Sequence, residues 1–138
     1  MSTDENKATV RRFFEAFNRG DFEAFVALCA PDLTYYQPGT PPLDVEGYRA
    51  VGAMFLKAFP DGVDNVEEQI GEGDRIATRT TFRGTHKGEL MGIPPTGKEV
   101  ALTGIVFDRL VNGKIRERRV LFDQFGLLQQ LGVIPMPG

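Results

Sequence analysis

Over roughly the first sixty residues the apolar positions recur every three or four places, and beyond them roughly every second place. Val10, Phe13, Phe14 and Phe17 fall on one side of a helical repeat, with Ser2 and Glu5 spaced as a capping box ahead of them and Gly20 as a stop behind. These predict a first helix. Asp21 is placed to cap a second, shorter one carrying Phe22, Phe25, Leu28 and Cys29, which Pro31 ends because the residue before proline is driven out of the helical region. Leu33 to Gln37 reads as a short strand, and Pro38, Gly39, Thr40, Pro41 and Pro42 as a rigid loop. Asp44 then caps a third helix whose apolar side is Tyr48, Val51, Phe55 and Phe59.

Past the turn at Pro60, Asp61 and Gly62, four longer strands are predicted, at about Val63 to Ile70, Arg75 to His86, Val100 to Leu110 and Lys114 to Gln124. Phe125 to Leu131 reads as a closing helix, followed by a tail containing Pro135 and Pro137. In the second strand Arg75, Arg79 and Arg83 alternate with Ile76, Thr78, Thr80 and Phe82, so the latter set should face inward. Helices followed by a run of strands predict an α+β domain over residues 1–138, with helices laid on the concave face of a bent antiparallel sheet. The register of the last two strands turns on Asn112 and Gly113. A two-residue turn sets Asp108 against Glu117, whereas a three-residue loop sets it against Arg116, and opposite charges favour the loop. That register puts Thr103, Ile105 and Phe107 on the face of Leu121 and Asp123, which is expected to be the inner one.

Sixteen basic against nineteen acidic residues, a net charge of −3, give no cationic footprint for nucleic acid or an anionic membrane. No run approaches the ~18 apolar residues of a membrane span, and the opening Met1 to Lys7 is polar, so a cytoplasmic protein is expected. Cys29 is the one cysteine and His86 the one histidine, which argues against a disulfide, a zinc cluster or covalent thiol chemistry, and leaves carboxylate acid–base work.

Asp123, in the run Val120 to Phe125, is the leading catalytic candidate, because an apolar setting would raise its pKa toward that of a general base. Equally, it could cap the helix that follows. His86 shares the inward parity of its strand and could face a cavity mouth, or could be a partly solvated turn residue between Gly84 and Gly88. Phe17, Tyr36, Phe55, Met91, Phe107 and Leu121 are expected to line an apolar cup for a small hydrophobic or polycyclic ligand. Arg119 would either bind a ligand oxygen or belong to a solvated or dimer-facing cluster with Arg116 and Arg118.

The segments Gly84 to Gly88, Gly92 to Lys98 and Asp123 with Leu127 to Gly132, together with Phe13 to Phe25 around Asn18, Gly20 and Asp21, resemble the SnoaL-like polyketide cyclases. The resemblance implies the cone-shaped nuclear transport factor 2 fold, usually a homodimer, shared with ketosteroid isomerase, limonene epoxide hydrolase and non-catalytic binding modules. It implies a cofactor-free, metal-free intramolecular aldol closure of a polyketide ester, with the aspartate matching Asp123 as acid–base and the histidine matching His86 in the pocket. Where the family commonly carries an acidic residue, a histidine and a tryptophan, this chain reads Glu117, Arg118 and Arg119, so its pocket wall differs.

Overall fold

The computed structural model describes residues 2–135, so the part of the tail at Pro137 lies outside them. Helix α1 (Thr3–Arg19) begins on the expected capping box, the Ser2 hydroxyl accepting from the Glu5 amide and the Glu5 carboxylate from the Ser2 amide. It ends at Gly20, whose φ of 68° few other residues tolerate. Its buried side, Val10, Phe13, Phe14 and Ala16, faces the sheet. Asp21 caps α2 (Phe22–Ala27) and Asp44 caps α3 (Val45–Ala58).

Between them, β1 spans Cys29–Tyr36, so Cys29 opens a strand instead of closing a helix. Pro31 is accommodated because β1 is an edge strand whose pairing is irregular between Cys29 and Thr34, where no ladder donor is missed. β2 (Val63–Glu72), β3 (Arg75–Thr85), β4 (Glu99–Val111) and β5 (Lys114–Phe122) follow, and α4 (Gln124–Gln130) closes the chain. The order across the curved sheet is β1-β5-β4-β3-β2, and β1 runs parallel to β5. The sheet is therefore mixed, not wholly antiparallel: from β1 the chain passes through α3 to β2 at the opposite edge, crosses the sheet strand by strand, and comes back as β5 beside β1 and parallel to it.

The alternation of β3 is as expected, with Ile76, Thr78, Thr80 and Phe82 buried and Arg75, Arg79 and Arg83 outside. The β4–β5 register matches neither sequence alternative. Asn112 and Gly113, with φ of 52° and 76°, make a two-residue turn that pairs Val111 with Lys114. A shift between Arg109 and Leu110 then slides Asp108 onto Arg118. Both side chains are fully buried and joined by two short bonds, Arg118 Nε to Asp108 Oδ1 at 2.6 Å and Nη2 to Oδ2 at 2.8 Å.

This corrects the expected inner wall. Val106, Asp108, Leu110 and Val120 turn toward the helices. Ile105, Phe107 and Leu121 do share a face, but it is the outer one, where they are 44, 42 and 60 % exposed. None of the helices among the described residues is long and apolar enough to cross a membrane.

Candidate active site

Between the helices and the concave sheet lies a cavity of about 110 Å³. Phe14, Phe17 and Phe25 from α1 and α2 and Tyr48, Val51 and Phe55 from α3 roof it, while Phe82, Leu102, Val106, Val120 and Phe122 form its floor. Gly52 lets α3 pack closely against the rings of α1 and α2, since a Cβ there would stand 3.1 Å from the Phe22 ring. The polar groups that reach the cavity are few: Gln37, Asp64 and Thr80, with the hydroxyls of Tyr35 and Tyr48 on its lining residues.

Asp64 is its one acidic lining residue, and nothing in the sequence reading singled it out. It sits near the start of β2, an edge strand, opposite Phe82. The edge amide and carbonyl that the sheet leaves open at this point are taken by Asn18 at the end of α1. The Asp64 N–H donates to Asn18 Oδ1 at 2.8 Å, and Asn18 Nδ2 donates to the Asp64 carbonyl at 2.9 Å. The side-chain amide thus replaces a neighbouring strand and fixes the backbone from which the carboxylate projects. Burial in these apolar surroundings pushes the Asp64 carboxyl up to about 6, against smaller opposing effects from the adjacent Thr80 hydroxyl and the Arg118 charge. Its Oδ1 is buried without a hydrogen-bond partner among the described residues. Gly104 makes room for Thr80, for a Cβ there would come within 3.0 Å of its Oγ1.

Of the expected site residues, Phe17 and Phe55 line this cavity. Asp123 does not. It is solvent-exposed at the N-cap of α4, its Oδ1 accepting from the Gly126 amide at 2.8 Å, so the desolvation expected of it belongs to Asp64 instead. Its parity is that of exposed Leu121, and the strand ends before it.

His86 is fully buried but outside the cavity lining, its ring against Phe59. Its Nδ1 accepts from the Thr96 amide at 3.2 Å and lies 3.0 Å from the Thr96 hydroxyl, which ties down the loop from Lys87 to Lys98. Met91 stands at the exposed tip of that loop with a positive φ of 47°.

Tyr36, Phe107, Arg119 and Leu121 project from the outer face, because strand parity places them opposite the cavity-lining set. There the Arg119 guanidinium lies 3.9 Å from the Tyr36 ring centroid and bonds Glu117. Arg116 reaches Asp32 at 2.9 Å. Cys29 is buried, and its thiol is pushed up to about 11 by burial, which keeps it protonated and unreactive.

The signals for the missed residues were weak. Asp64 has the same parity as Val66 in a strand whose other inner positions are partly polar, and Asn18 reads as an ordinary helix-end residue. Gln37 falls at the end of the strand that the sequence predicts, and only the fold brings it to the cavity.

A family model described as SnoaL-like polyketide cyclase matches residues 8–131. The nogalonic acid methyl ester cyclase of Streptomyces nogalater is 43% identical over 122 residues, covering 85% of this chain and 90% of that protein. The aklanonic acid methyl ester cyclase DnrD of Streptomyces peucetius is 33% identical over 132 residues, 89% of this chain and 88% of that one. The solved structure of AclR from Streptomyces galilaeus, described as a candidate hydroxylase, superposes with a TM-score of 0.91 at 32% identity, covering 99% of this chain and 87% of that chain.

Proposed function

The chain belongs to the SnoaL-like polyketide cyclase family, and from that premise we propose that it closes a ring in a small polyketide ester held in the aromatic cavity, with Asp64 as the proton acceptor. A shared fold does not fix a reaction, so the reading rests on the site. The observation that carries it is the lone carboxylate among apolar walls, with its proton affinity raised into the working range of a general base.

Asp64 takes the proton from the carbon alpha to a carbonyl, and the electron pair moves onto the carbonyl oxygen as an enolate. The enolate carbon attacks a second carbonyl of the same molecule, forming the new carbon–carbon bond. The resulting alkoxide recovers the proton from Asp64, so the chain needs no cofactor for the step. The aromatic roof holds a flat, folded substrate with its two reacting carbons close together, replacing a costly ordering step in water. Asp123, exposed and committed to its cap, keeps a structural part in this scheme.

The outer stripe of Ile105, Phe107 and Leu121, flanked by the Arg119–Tyr36 stack, supports a second copy of the chain as its cover, the homodimer that the resemblance implies.

Turnover of nogalonic acid methyl ester and aklanonic acid methyl ester by purified protein tests the reading. Asp64→Asn is expected to lower kcat by about 10²-fold or more, while Asp123→Asn stays within a few-fold of wild type. Loss of activity in Asp123→Asn with full activity in Asp64→Asn would reverse the assignment.

A further inference from the structure

A carboxylate alone is a poor catalyst of enolate formation, because the charge leaving it has to be held on an oxygen among mostly apolar walls. None of the residues lining this cavity is a lysine or an arginine, so the charge must be met by a dipole. Gln37 is placed for that. It follows β1 directly, where the chain turns into Pro38 and Gly39, and its own carbonyl accepts from the Thr40 amide and hydroxyl, which holds the backbone in a turn. Its side chain lines the cavity.

The Tyr35 hydroxyl donates to Gln37 Oε1 at 2.7 Å. In this orientation the amide oxygen is taken, and the Nε2 hydrogens have no acceptor among the described residues.

Tyr35 is itself fixed. Its backbone exchanges two 2.9 Å bonds with Leu43, and its ring lies 4.0 Å from that of Tyr48 in a near-parallel stack. The Tyr48 hydroxyl in turn accepts from Arg118 Nη1 at 3.2 Å, and Arg118 is clamped by Asp108. A buried ion pair that lines no part of the cavity thus backs two stacked rings, and the outer ring aims an amide.

We infer that the Gln37 side-chain amide is the donor that holds the substrate carbonyl oxygen as it becomes an enolate, with Tyr35 as its positioning residue. This rests on the reading of Asp64 as proton acceptor. No proton is transferred by Gln37: the carbon–hydrogen bond breaks toward Asp64, the electron pair settles on the carbonyl oxygen, and the Nε2 hydrogens bond to that oxygen. A substrate of this site therefore carries a neutral carbonyl at the end of the cavity nearest β1.

Binding of a neutral polycyclic ketone, 9-fluorenone, followed by the infrared stretch of its carbonyl, tests the donor without needing turnover. In wild type the bound stretch lies at lower frequency than in Gln37→Leu and in Gln37→Glu, the second of which can still accept from Tyr35 but has no N–H. Tyr35→Phe, which frees the amide to rotate, gives bonded and unbonded bands together. In ester turnover, Gln37→Leu lowers kcat about a hundredfold with KM changed only a few-fold.

Equal frequencies in wild type and both Gln37 variants, or failure of the ketone to bind wild type, would overturn the assignment. The same stretch read in Asp64→Asn separates the two claims: a frequency shift that persists while that variant still turns over ester removes the role of Asp64 and leaves that of Gln37.

Discussion

The Asp64 carboxyl is the residue at which function and stability pull in opposite directions. An aspartate in the unfolded chain titrates near ~3.9, whereas in the fold burial raises Asp64 to about 6. The native state therefore holds the proton more tightly than the unfolded state. Its contribution is most favourable below pH ~4 and is lost as pH rises through about 6, on the order of 2–3 kcal/mol in all. Activity runs the other way, since the ionised form is the base, and the acidic limb of kcat/KM should rise with a midpoint near 6. Asp64→Asn is expected to flatten the stability limb and to unfold at higher urea than wild type at pH 7, while losing turnover. Unfolding curves from pH 4 to 8 check this, and a variant less stable than wild type at pH 7 would show that the carboxylate is held by bonds the structure lacks. At Asp123 the forces are simpler. Replacing it with Ala removes the bond from the Gly126 amide and should cost about 1 kcal/mol, with turnover little changed.

Among the elements, the three N-terminal helices and the long strands were legible because their signals are local: a capping box at Ser2 and Glu5, aspartate caps at Asp21 and Asp44, and the alternation of Ile76, Thr78, Thr80 and Phe82. The pairing of strands was not. The tight Asn112–Gly113 turn and one extra residue in β5 together place Asp108 opposite Arg118 instead of Arg116, and charge complementarity supports either partner. That two-residue difference keeps Phe107 and Leu121 on one face; which face it is follows from the pairing of β3 with β4, where buried Ile76 and Thr78 stand opposite Asp108 and Val106, a register with no local signal, so the outer apolar stripe reads as a cavity wall from sequence. Asp64 escaped notice because its desolvation comes from Phe82 across the sheet and from helices distant in sequence, not from its own neighbours. The buried Arg118–Asp108 pair also makes a prediction at this scale. Arg118→Leu leaves Asp108 buried without its partner and should destabilise by about 3–5 kcal/mol, and adding Asp108→Leu should restore part of that. Thermal unfolding of Arg118→Leu, Asp108→Leu and the double variant measures it, and additive losses in the double variant would mean the two side chains do not act as a pair.

For the molecule as a whole, one curved sheet serves two purposes through its two faces. The concave face, closed by α1, α2 and α3, makes the aromatic cavity, and the convex face leaves Ile105, Phe107 and Leu121 exposed, with a second copy as the proposed cover. Leu121→Glu, at a side chain 60 % exposed, should therefore give a monomer in sedimentation while leaving the cavity residues in place. A wild type that already sediments as a monomer would remove the proposed partner. The central claim concerns the concave side alone: that the working carboxylate is the one withdrawn from water at Asp64. Its carboxyl carbon can be followed by ¹³C NMR across pH and assigned by its disappearance in Asp64→Asn. A midpoint of about 6 is expected for that resonance. A midpoint at or below the ordinary aspartate range near ~4 would contradict it.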